Sequence, residues 1–101
     1  MTIKEFLDSK GLVESKGYTY LETILKTFSA QELLDTSLIK IYNAVAELHD
    51  TTIFSIESDI RYIKNHTDSL MHFTNNELLK ELSLEYYEIT KLNKNHSNKE
   101  W

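Results

Sequence analysis

From Tyr18 to its last residue this chain of 101 residues contains neither proline nor glycine. The whole sequence has no proline, and its two glycines, Gly11 and Gly17, lie near the N-terminus. A many-turned β architecture needs such residues at its reversals, because glycine supplies positive φ and proline presets the first dihedral of a turn. A chain this poor in breakers folds most simply as helices separated by short polar breaks. At this length folding buries roughly 60 to 70% of the surface the unfolded chain exposes, which is enough for one modest core and excludes a second domain.

Helix starts can be read directly. Four segments carry Ser/Thr-x-x-Glu, in which the hydroxyl accepts from an orphan backbone N–H and the glutamate reaches back to the cap residue: Thr2 with Glu5, Thr19 with Glu22, Ser29 with Glu32, and Thr74 with Glu77. Each opens a segment with helical apolar spacing. The first helix runs from about Ile3 to Ser9 and stops before Gly11. The second is expected from Tyr20 to about Phe28, with Leu21, Ile24, Leu25 and Phe28 on one stripe. A turn of helix holding Leu33 and Leu34 follows Ser29, then a polar break of Asp35, Thr36 and Ser37.

Leu38, Ile41, Tyr42, Val45, Ala46 and His49 define the face of a further helix. After Asp50 and Thr51, Thr52 is the expected N-cap of a helix over about 53–65 that buries Ile53, Ile56, Ile60 and Ile63. Asn65 to Ser69 reads as a loop, Leu70, Met71 and Phe73 as apolar contacts, and Leu78, Leu79, Leu82, Tyr86 and Ile89 as the buried side of a last helix. The expected architecture is all-α, five to six helices in one domain over residues 1–90. Residues 91–101 form a polar segment with little apolar content to offset ordering, expected as a flexible tail.

Composition narrows the function classes. With 41% hydrophobic and 27% charged residues the chain is of ordinary globular type. No apolar run approaches the roughly 20 residues that span a bilayer, and the N-terminus lacks a secretory signal, so a cytoplasmic location is expected, with no membrane partner. Without cysteine there are no disulfides, thiolate metal sites or thiol nucleophiles. No cysteine accompanies His49, His66, His72 and His96, and no metal is expected. No glycine loop, nucleophile elbow or histidine-based triad spacing suggests catalysis; neither an enzyme nor a cofactor is expected. The net charge of −5 is unusual for a nucleic-acid binder, which needs clustered cations or a partner.

Two helices joined by a tight break from Tyr42 to Ile63 have the layout of a helix-turn-helix, with Ala46 small enough for close axial approach and Ile56 beneath the second helix. The segments K-G-Y-T-Y-L from Lys16 to Leu21 and Y-N-A-V-A-E-L-H-D-T-T-I-F-S-I-E-S-D-I-R from Tyr42 to Arg61 resemble the C-terminal effector domain of stage zero sporulation protein A, the sporulation response regulator. Lys16, Gly17 and Tyr18 match its Lys-Gly-Tyr, and Thr51 and Thr52 its Thr-Thr pair before the recognition helix; the likeness extends more weakly to T-N-N-E-L-L from Thr74. The resemblance implies an all-helical DNA-binding domain. The receiver domain that precedes the effector in the sporulation regulator is read as absent, and phosphorylation of such a domain as no part of control.

The resemblance also implies arginines on the outer face of the recognition helix, where this chain has Ser55 and Ser58; Glu57 and Arg61 keep the family's charge pattern. Candidate DNA contacts are therefore Thr51, Thr52, Ser55, Ser58, Arg61 and Lys64, with Lys40 a further phosphate contact. Each has a plainer reading: Thr52 as a cap, Lys64 and Lys40 as solvated lysines, and Arg61 as the partner of Glu57 four residues earlier. The first functional reading is a DNA-binding transcription regulator acting on double-stranded DNA as a homodimer. The alternative is an acidic protein-binding inhibitor of phage or mobile-element type. It would act on a nucleic-acid-binding protein, with the fold kept and DNA binding lost.

Overall fold

Threonine and serine hydroxyls set the helix starts. Thr2 and Ser29 each accept the N–H of the third helical residue, while Glu5 and Glu32 accept from the cap residue's own N–H. Thr74 and Glu77 form the same reciprocal pair, at 3.1 and 2.8 Å. The backbone hydrogen bonds at Thr2 and Thr74 hold the carboxyls of Glu5 and Glu77 below their usual range.

The computed structural model describes the backbone of residues 1–99 and the side chains through Lys91. Among these the chain forms six helices and no strand: α1 Ile3–Ser9, α2 Lys16–Thr27, α3 Ala30–Asp35, α4 Leu38–Leu48, α5 Ile53–Asn65 and α6 Asn75–Lys99. The segment expected as a tail from Lys91 falls on the C-terminal part of α6, whose backbone is helical to Lys99; residues 100 and 101 lie outside the described ones.

The fourth capping pattern behaves differently. Thr19 and Glu22 lie inside α2, which begins at Lys16 with Ser15 as its cap, its hydroxyl accepting from the Tyr18 N–H. Thr19 instead donates back to the Ser15 carbonyl at 3.2 Å. Tertiary contacts select the earlier start, because the added turn carries Gly17 and Tyr18 onto two different neighbours. A Cβ at Gly17 would lie 2.3 Å from the Asp59 carbonyl oxygen and 2.8 Å from the Ile63 Cγ2, so the α2 backbone rests directly on α5. Tyr18 is buried, and its hydroxyl lies 2.8 Å from an Asp8 carboxylate oxygen and 3.1 Å from the Lys4 carbonyl, sharing its one proton with α1. Burial first, and the Asp8 hydrogen bond second, push the phenol up to about 12.

α2, α4 and α5 meet in the core through Leu21, Ile24, Ile41, Val45, Ile56 and Ile60, all buried. α1 closes one side with Phe6 and Leu7, and α6 another with Leu78, Leu79 and Leu82. Tyr86 packs on Phe6 with ring centroids 5.4 Å apart, whereas Tyr87 is half exposed. A salt bridge of 2.7 Å from Lys10 to Glu85 joins the end of α1 to α6.

The connection between α4 and α5 is built by one residue in the left-handed region, Asp50, at φ 50°. The Thr51 N–H donates to the Ala46 carbonyl and the Asp50 N–H to the Glu47 carbonyl, the paired bonds of a Schellman ending. Thr52 then caps α5, its hydroxyl accepting from the Ser55 N–H at 3.1 Å. His49, at the end of the apolar face of α4, turns toward α2. Its Nε2 lies 2.7 Å from the Thr23 hydroxyl and its ring meets Tyr20 edge-on at 5.2 Å.

Candidate nucleic-acid interface

Helical periodicity puts Ile56, Ile60 and Ile63 on the buried side of α5, and with them fixed, Phe54, Ser58, Arg61, Tyr62 and Asn65 fall on the opposite side. Phe54 is 77% exposed and Tyr62 is 62% exposed. Ser58 lies one turn from each. Among the described residues no other helix covers this stripe, so α5 has the disposition a reading helix requires: its back held by α2 and α4, its front exposed.

The residues singled out from the sequence separate in space. Thr51 is half-buried in the turn and Thr52 is exposed at the start of α5, its hydroxyl also donating to the Ser55 hydroxyl at 3.1 Å. Ser55 and Ser58 are half-exposed. Arg61 is exposed and donates to the Glu57 carboxylate, the intrahelical pair that the spacing offered as its plainer reading. Lys64 turns away from the outward stripe: it is buried, and its ammonium donates to the Asn65 side-chain oxygen at 2.8 Å and approaches the Met71 carbonyl at 3.5 Å. Lys40 is exposed near the start of α4, in none of the salt bridges among the described residues. The outward face of α5 therefore carries one cation, already paired.

Two features were not found by sequence reasoning. Phe54 and Tyr62 stand eight residues apart on the outward stripe, and their signal was an aromatic residue placed off the isoleucine period. Asn75, at the first position of α6, is buried and its amide donates at 3.2 Å to both the Tyr42 hydroxyl and the Glu57 carbonyl. It thereby ties both helices of the helix-turn-helix to α6. Burial raises the Tyr42 phenol above its ordinary value. The amide oxygen of Asn75 has no partner, a polar cost the fold carries at this junction.

Among the described residues no group of three or more His, Asp or Glu side chains is arranged to hold a metal ion. None of their helices is long and apolar enough to cross a membrane.

With a free-fronted helix-turn-helix established, comparison with known families is decisive. The family described as sporulation initiation factor Spo0A C terminal matches residues 3–101. The chain belongs to this family. It is a helical domain of DNA-binding type, in agreement with the six-helix fold and with the resemblance carried by Lys16 to Leu21 and Tyr42 to Arg61. Neither a curated protein nor a solved structure matches at a significant level. The two matching blocks meet in space: Gly17 of the first is the point on which α5 of the second rests.

Proposed function

We propose that the protein is a transcription regulator that places α5 in the DNA major groove. The observation that carries this reading is the family match across residues 3–101 together with the uncovered outward stripe of α5. In this reading Thr51 and Thr52 meet phosphate at the start of α5, where backbone N–H groups and hydroxyls converge. Ser55 and Ser58 face the groove, and Arg61 exchanges Glu57 for DNA. Lys64, buried against Met71, serves packing rather than phosphate binding.

So few free cations imply a weak electrostatic component. Each neutralised phosphate steepens the dependence of log affinity on log salt by roughly 0.9, so a shallow slope of about 1 to 3 per recognition helix is expected. One such helix supports little specificity, which favours two copies on half-sites about 34 to 36 Å apart. The test is fluorescence anisotropy with labelled genomic duplexes over a salt series. Arg61→Ala is expected to weaken binding and reduce the slope by about 1. Absence of binding at the lowest salt would remove the reading and return attention to a protein partner. The acidic-inhibitor alternative draws no support from the comparisons, and the charge of −5 alone does not favour it.

A further inference from the structure

Phe54 is the second residue of α5 and is among the most exposed large apolar side chains of the protein, at 77%. Isolated apolar residues on a surface are ordinary, and Val13 or Ile39 needs no special account. Phe54 differs by position. It shares the outward stripe with Ser58 and Tyr62, in the first turn of the helix, where helix-turn-helix proteins bring side chains to base edges.

The ring has no hydrogen-bonding atom, which restricts what it can complement. Along the major groove the bases present acceptors at purine N7, guanine O6 and thymine O4, and donors at adenine N6 and cytosine N4. The thymine 5-methyl is the one apolar feature in that pattern. A ring held against a donor or acceptor would strip its water and return nothing. Against a methyl it buries apolar surface on both partners. The surroundings agree: Arg61 is paired with Glu57, Lys64 is buried, and Ser58 selects weakly because a hydroxyl bonds many partners.

We propose that Phe54 is a specificity-determining residue that reads a thymine methyl in the major groove. This rests on the DNA-binding reading above. The phenol of Tyr62, about 12 Å further along the helix at 1.5 Å per residue, takes a polar contact at the other end of the stripe.

The test uses the whole chain. A duplex is selected in vitro from a random-sequence library, and each of its thymines is replaced in turn by uracil, which keeps the base-pairing edge and removes only the methyl. At one thymine per half-site the replacement is expected to weaken wild-type binding about fourfold, the effect of one methyl-sized group leaving a buried contact. Phe54→Ala is expected to bind the unmodified duplex more weakly by at least that factor and to be indifferent to the same replacement. Circular dichroism should show the fold of the variant unchanged, since the side chain it removes touches little. If wild type selects and binds a site but no thymine shows a Phe54-dependent response to methyl removal, the inference fails while the DNA-binding reading stands. If wild type binds no duplex, both fall together.

Discussion

Replacing Gly17 by alanine tests the contact on which the position of α5 depends. The added Cβ would stand 2.3 Å from the Asp59 carbonyl oxygen and 2.8 Å from the Ile63 Cγ2, whereas ordinary contacts begin at 3.4 Å. The obstructing atom belongs to backbone inside a helix, so it cannot turn aside as a flexible side chain does. Relief requires α2 and α5 to part by about 1 Å, and a gap of that size forfeits a quarter to a half of the dispersion attraction across it. Tyr18, Leu21, Ile56 and Ile60 are the buried residues that lose contact. Overpacking costs about 1 to 3 kcal/mol, occasionally more, and this site belongs at the upper end. Alanine returns up to about 1 kcal/mol of helix propensity, leaving a net loss near 2 kcal/mol. For a chain of this size that lowers Tm by roughly 8 to 16 °C.

Urea denaturation followed by circular dichroism measures the loss directly, provided the m value is unchanged. Gly11→Ala is the control: its Cβ would sit 3.7 Å from the Thr67 Cγ2, with room to spare, so that only the φ of +86° opposes it, at about 1 to 2 kcal/mol. A Gly17→Ala protein within about 0.5 kcal/mol of wild type would refute the close crossing of α2 on α5.

Three further outcomes follow from the same geometry. Asp50→Gly should raise stability by about 0.5 to 1 kcal/mol in a thermal melt, because glycine takes the φ of 50° without strain and removes a negative charge from the C-terminal end of α4; a lower Tm would contradict this. Tyr18 makes folding sensitive to alkali. Its folded phenol is raised to about 12 against an ordinary 10, so its contribution is complete below pH 10 and drains away as pH climbs from there through about 12. Denaturation midpoints measured across that window should fall for wild type, and the fall should be smaller for Tyr18→Phe. Glu57→Gln should release Arg61, strengthening binding to non-specific duplex several-fold with a salt slope steeper by about 1 and folding stability within about 0.5 kcal/mol of wild type. Weaker binding would instead mean that Glu57 itself contacts a base.

At the candidate site the limits of sequence reading have identifiable causes. Ser55 and Ser58 follow from the resemblance; of the two, Ser58 shares the outward stripe of α5 with Arg61, while Ser55 lies toward its side. Lys64 as a phosphate contact and Lys64 as a solvated lysine both require an exposed side chain, yet it is covered where the segment after α5 folds back and supplies the Met71 carbonyl. Phe54 leaves little trace in the sequence, because an aromatic residue facing outward counts toward no buried stripe.

The features legible in residue order alone are local. Missing breakers, Ser/Thr-x-x-Glu caps and apolar spacing specify helices, because a cap satisfies N–H groups within one turn and a stripe follows from a 3.6-residue period. Those forces act over a few residues and leave a direct trace in order. The start of α2 at Lys16 rather than Tyr20, the inward turn of Lys64 and the Asn75 tie between Tyr42 and Glu57 were decided by tertiary structure. In each the deciding partner is remote along the chain or supplied by the path of a loop: Gly17 seats α2 on Asp59 of α5, and Asn75 reaches Tyr42 across 33 positions. The competing local choices differ by only about 1 kcal/mol, so a single close-packed contact is enough to select between them.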